Sequence, residues 1–99
     1  MTQDIHQAVA TIDSFMRQVG GTKGDWYVGI SAKPRQRLFD DHAVHEQLDA
    51  WILQQTLSSD IARAVEKAYL DTGHCGGPGG GDSLAIFVYA YRKSTRTRP

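Results

Sequence analysis

Cysteine is nearly missing from this chain. Cys75 stands alone, so no internal disulfide can staple the fold, and stability must come from a packed core. That fits a reducing, cytoplasmic setting. Charge of one sign is missing too, because eleven Lys and Arg balance eleven Asp and Glu. That balance weighs against a protein that coats nucleic acid non-specifically, while leaving room for local positive patches. No apolar run approaches the roughly 20 residues that cross a bilayer, so no membrane role is expected. The opening Met1-Thr2-Gln3-Asp4-Ile5-His6 lacks the basic-then-apolar pattern of an export signal. With no internal repeat and no linker, the 99 residues read as one domain, 1–99.

What is present is patterned. From about Gln3 to Val19, the residues Ile5, Val9, Ile12, Met16 and Val19 recur in steps of three and four, which predicts a helix (3–19) with one apolar face. Gly20-Gly21 stops it, and His6 falls on its polar side. Trp26 to Ile30 is aromatic and β-branched, so it reads as a strand, with Gly29 removing a side chain where something comes close. Ser31 and Pro34 then turn the chain into a helix whose first turn carries Arg35 and Arg37, with Leu38 and Phe39 to anchor it.

The run from Ala50 to Thr56 mixes strand and helix formers over too short a span for periodicity to decide. Ser58 or Ser59 caps a helix reaching about Thr72. Its buried face is Ile61, Val65 and Ala68, which leaves Glu66 at the boundary of core and solvent, where an ordinary solvated glutamate paired with Arg63 or Lys67 would also sit.

Gly73 to Asp82 is a glycine-rich loop. A Walker phosphate loop is excluded, because Asp82 takes the lysine position and the loop follows a helix instead of preceding one. His74 and Cys75 alone cannot build a zinc site. Ser83 to Lys93 sets Leu84, Ile86, Val88 and Ala90 against Ala85, Phe87, Tyr89 and Tyr91. A strand apolar on both faces belongs inside a sheet, and pairing with Trp26 to Ile30 is expected. The basic residues 94–99 are expected to form a mobile tail.

The order of residues after Trp26 resembles the core of the GIY-YIG nuclease family. Tyr27-Val28-Gly29 stands where that family has Tyr-Ile-Gly, and Ser31 where Thr or Ser is common. Arg37 follows ten residues after Tyr27, His42 lies within one position of a frequent histidine, and Ala62 to Glu66 repeats an Ala-x-x-x-Glu pattern. The likeness covers roughly Trp26 to Tyr69. The family's first strand, Gly-Ile-Tyr, has no counterpart ahead of Tyr27, where Phe15-Met16-Arg17-Gln18-Val19-Gly20-Gly21 does not match.

The resemblance implies an α+β fold: a small, mostly antiparallel sheet of about three strands flanked by helices, with residues 26–93 as a GIY-YIG-like core. It also makes Ala50 to Thr56 a strand. For function it implies a metal-dependent phosphodiesterase acting on nucleic acid. Tyr27 and Arg37 would be catalytic with support from His42, Glu66 would hold Mg²⁺ or Mn²⁺, and Tyr89 or Tyr91 would stand in for the family's first tyrosine. Lys33, Arg35, Arg92 and Lys93 are the expected phosphate contacts. The competing reading is a non-catalytic module that keeps the fold and binds nucleic acid or a protein partner, including a second copy of itself.

Overall fold

The computed structural model describes residues 2–77 and 83–99. The chain runs β1 (Thr2–Gln3), α1 (Ile5–Val19), β2 (Trp26–Ser31), a π-helical turn (Gln36–Asp41), β3 (Trp51–Thr56), α2 (Ser59–Asp71) and β4 (Phe87–Arg92). A 3₁₀ turn (Lys23–Asp25) leads into β2. This is the expected α+β fold: an antiparallel sheet of three main strands with helices against it. No described helix is long and apolar enough to cross a membrane.

Local chemistry sets the ends of α1. Asp4 caps it, its carboxylate accepting from the Gln7 N–H at 2.8 Å while the Gln7 side chain accepts from the Asp4 N–H at 3.0 Å. The helix therefore starts at Ile5, two residues later than its periodicity predicts. Thr2–Gln3 is left to pair in parallel with Gln55 and Thr56. Gly20, at a φ of 96° that a side chain would resist, closes the far end with its N–H on the Met16 carbonyl at 2.8 Å. In α2 the Ser58 hydroxyl accepts from the Ile61 N–H at 3.2 Å.

The strand order is β1-β3-β4-β2. β4 lies inside the sheet, antiparallel to both neighbours, as its two apolar faces predict. It pairs Trp26 with Arg92 through Ser31 with Phe87 on one side, and Trp51 with Tyr91 through Gln55 with Phe87 on the other. The strand is shorter than expected and begins at Phe87. Ala85, outside its alternation, joins the core of Val88 and Ala90 rather than the tyrosine side. Residues 78–82, the second half of the predicted glycine loop, lie outside the described residues.

Each face of the sheet has its own core. Trp26, Val28, Ile30, Val88 and Ala90 pack under Ala8, Ile12 and Met16 of α1 and Ala62, Val65 and Tyr69 of α2. On the other face Tyr27, Tyr89 and Tyr91 meet Leu38 and Val44. The buried face of α2 differs from the predicted one: Ala62, Val65, Glu66 and Tyr69 turn inward, and Ala68 is exposed. The cause is Tyr69, whose hydroxyl donates to Asp13 at 2.7 Å and lies 3.2 Å from the Val9 carbonyl of α1. This pulls the Tyr69 row inward, and with it Glu66. The outer edge of β2 is covered by the chain after α2, where Val28 donates to the Cys75 carbonyl at 2.8 Å and Cys75 to the Trp26 carbonyl at 3.0 Å.

Candidate active site

The alternation of β2 and β4 builds the floor of the site. Tyr27 sits opposite Tyr91 and Gly29 opposite Tyr89. The Tyr27 ring stacks on Tyr91 at 5.3 Å and on Tyr89 at 6.5 Å between centroids. Gly29 is glycine for a steric reason. A Cβ there would stand 2.5 Å from the Tyr89 hydroxyl oxygen and 2.6 Å from its Cζ, so the ring can lie across β2 only if that position is bare.

The π-helical turn brings in two further groups. Pro34 opens the helical segment, which then widens so that the His42 N–H donates to the Arg37 carbonyl, five residues back, at 2.9 Å. Residues five apart point to different sides of an α-helix, whereas this wider turn lets Arg37 and His42 both reach Tyr89. Ala43 follows at a φ of 57°, a left-handed conformation that costs a non-glycine residue about 1 kcal/mol. That bend carries Val44 back under the site. Among the described residues Ala43 is the only non-glycine residue with positive φ, and it adjoins His42.

His42, expected in a supporting role, is 5 % exposed and fully engaged. Its Nε2 lies 2.9 Å from the Tyr89 hydroxyl. Its Nδ1 lies 2.7 Å from the Arg98 carbonyl and 3.1 Å from the Tyr91 hydroxyl. Burial pushes the imidazole below its ordinary value and the Arg37 charge adds to this, while the Arg98 carbonyl pulls the other way. Burial raises Tyr27, lifts Tyr89 to about 12, and raises Tyr91 further. All three tyrosines are therefore protonated at neutral pH. Arg37 stands beside the Tyr89 hydroxyl and pairs with Asp41 at 3.2 Å.

Glu66 is 6 % exposed, and its Oε2 has no hydrogen-bond partner. Burial raises its carboxyl, an effect Arg63 opposes, and its charge in turn raises Tyr27 and Tyr89. A buried carboxylate oxygen without a donor is costly, and binding a cation is one way to offset that cost. Among the described residues no group of three or more His, Cys, Asp and Glu gathers to form a metal cage. A single carboxylate still suits Mg²⁺, which keeps most of its waters and completes its shell with substrate phosphate oxygens. The backbone of Gly77 adds a hydrogen bond to the Tyr27 hydroxyl, and a Cβ at Gly77 would crowd that oxygen at 2.9 Å.

The four cations expected as phosphate contacts stand at opposite ends of β2. Lys33 lies past the Ser31 end of β2, while Arg92 and Lys93 lie at the Trp26 end, about 17–20 Å away along a six-residue strand. Arg35 is drawn to Trp51, with its guanidinium 5.6 Å from the ring centroid, and to Glu46 at 3.8 Å. Arg92 borders Gly21 and Asp25, whereas the Lys93 ammonium reaches the Cys75 sulfur at 3.1 Å, next to the tyrosine cluster. In the segment 94–99, read as a mobile tail, Arg98 bonds to His42 and Arg96 pairs with Asp49. Compared with family models, curated proteins and solved structures, the chain matches none.

Proposed function

We propose that the chain is a metal-dependent phosphodiesterase that cleaves nucleic acid in the manner of the GIY-YIG nucleases. One observation carries the reading. Tyr89 of the interior strand lies beside the Tyr27-Val28-Gly29 strand, its hydroxyl meets both Arg37 and His42, and the charge of a buried glutamate with an unpartnered oxygen acts on both tyrosines. Tyr89 thus fills the role that has no counterpart ahead of Tyr27. It arrives from the C-terminal side of the core instead of the N-terminal side, while Tyr91 packs behind it.

Cleaving a phosphodiester concentrates negative charge on the phosphoryl oxygens, and the site supplies the opposite sign. The Arg37 guanidinium can pair two of those oxygens. Tyr27, kept protonated by burial, donates to a third. Tyr89 and His42 form the pair through which a proton leaves the attacking water. Glu66 would hold the divalent cation, which when bound supplies positive charge beside the departing oxygen.

A second reading is a binding module that keeps the fold without cleaving, and the scattered, largely neutralised cations favour it. Labelled single-stranded, duplex and branched DNA and RNA, incubated with Mg²⁺ or Mn²⁺, separate the two. Cleavage that falls about 10²-fold or more in Arg37→Ala and Tyr89→Phe is expected. Binding without cleavage on every substrate leaves the module.

A further inference from the structure

We infer that residues 94–98 are a strap whose Arg98 main-chain carbonyl fixes the tautomer of His42, and so sets the direction in which the Tyr89 proton moves. The strap is tied at both ends. The Arg98 N–H donates to the His42 carbonyl at 2.7 Å, and the Arg98 carbonyl lies 2.7 Å from Nδ1 of the same residue. Upstream, the Ser94 N–H donates to the Thr97 hydroxyl at 2.9 Å, Thr97 is buried, and Arg96 pairs with Asp49.

A carbonyl oxygen has no proton to give, so Nδ1 must carry one. In the neutral ring Nε2 then keeps its lone pair, and the Tyr89 hydroxyl 2.9 Å away must donate to it. Tyr91 agrees with this assignment. Its hydroxyl cannot donate to a protonated Nδ1, and it has the Arg98 carbonyl 3.4 Å away to donate to instead. Arg37, which has only donors, meets the lone pairs of the Tyr89 oxygen. Donation therefore runs one way, from Arg37 to Tyr89, to His42, to Arg98. The ring stays neutral in this setting, faced by Arg37 and Asp41 from the π-helical turn, Tyr27 from β2, and Tyr89 and Tyr91 from β4.

The strap deepens the nuclease reading and bears on cleavage only if that reading holds. As the O–H bond of the attacking water breaks, its proton passes to the Tyr89 oxygen while Tyr89 hands its own to Nε2. The water oxygen bonds to phosphorus, and the ester oxygen leaves with its bonding pair and takes a proton from solvent. The imidazolium, steadied by the Arg98 carbonyl on Nδ1–H, returns a proton to solvent.

A two-bond ¹H–¹⁵N spectrum of the imidazole at neutral pH, assigned by loss of its signals in His42→Gln, tests the inference without substrate or metal. The full chain should show Nδ1–H and a bare Nε2. Cutting the chain after Arg96 should let both tautomers appear, lower cleavage about 10²-fold and move its pH optimum. Should the cut chain not fold, Arg98→Pro removes the N–H tie alone and is expected to give the same three changes. A full chain with its proton on Nε2 overturns the inference, as does a folded, cut chain that keeps Nδ1–H. Absence of cleavage by the full chain ends the nuclease reading and leaves the tautomer result standing.

Discussion

Adding one methyl group at Gly29 tests the packing of the whole site. In Gly29→Ala the new Cβ would meet the Tyr89 oxygen at 2.5 Å and Cζ at 2.6 Å, both shorter than carbon can tolerate, with Cε2 tight at 3.0 Å. Tyr89 cannot swing clear, because it is 1 % exposed, hydrogen-bonded to His42 and flanked by the Tyr27 ring. Overpacking of this kind costs about 1–3 kcal/mol. Replacing glycine within an element returns about 0.5–1 kcal/mol. The difference spans about 0–2.5 kcal/mol, and because Tyr89 cannot give way a loss in the upper half, about 1–2.5 kcal/mol, is expected; at about 4–8 °C per kcal/mol for a domain of this size the thermal midpoint should fall by roughly 5–20 °C. Thermal unfolding followed by circular dichroism reads this directly. The same substitution made in a Tyr89→Leu background should cost almost nothing, since the clashing atoms are gone. An equal cost in both backgrounds, or no cost in the first, would refute the claim that the Tyr89 ring lies across Gly29.

Glu66→Gln should raise the thermal midpoint by about 4–8 °C, because removing a buried charge whose Oε2 lacks a hydrogen-bond partner recovers about 1 kcal/mol. It should also erase any stabilisation that Mg²⁺ or Mn²⁺ gives the unaltered chain. Its pH dependence has a definite sign. Burial raises the Glu66 carboxyl, so the folded chain holds a proton that the unfolded chain has already lost. Stability should therefore fall as pH rises from the ordinary carboxylate range through the raised value, and the Gln variant should lack that fall. A variant melting below the unaltered chain would mean that partners hold the carboxylate in place. If nucleic acid binds over the tyrosine face, Lys93→Ala should flatten the log–log salt dependence of binding by about 0.7–0.9. Arg92→Ala, beside Gly21 and Asp25, should leave the slope as it was, and equal effects would place the substrate elsewhere.

The elements that a two- or 3.6-residue period can express were legible. α1 and α2 announced themselves by spaced apolar residues, α2 also by a serine cap at Ser58 or Ser59, and β4 by bulk on both faces. Tyr89 could be proposed because strand alternation puts it on the same face as Tyr27 once the two strands pair. Burial of Glu66 was missed by a single helical row. Apolar spacing alone favours Ile61, Val65 and Ala68, and nothing in it records that the Tyr69 hydroxyl seeks Asp13. The π-helical turn has no signature either. Leu38 and Phe39 followed by Asp40, Asp41 and His42 would serve an α-helix equally well, and only the closing bond from His42 to Arg37 reveals the wider turn.

The strap was illegible for a deeper reason. What it contributes is a main-chain carbonyl, which every residue type possesses, so no choice of side chain at position 98 could have marked it. The topology explains why it falls there. β4 carries Tyr89 and Tyr91 into the middle of the sheet, and the chain leaving that strand is the nearest source of backbone for the far side of His42. Had the strand bearing Tyr89 come ahead of Tyr27, the chain leaving it would have been committed to the turn into β2. With that strand following α2, the residues after it can fold back, where Arg98 meets His42 twice and the Tyr91 hydroxyl once and Arg96 pairs with Asp49.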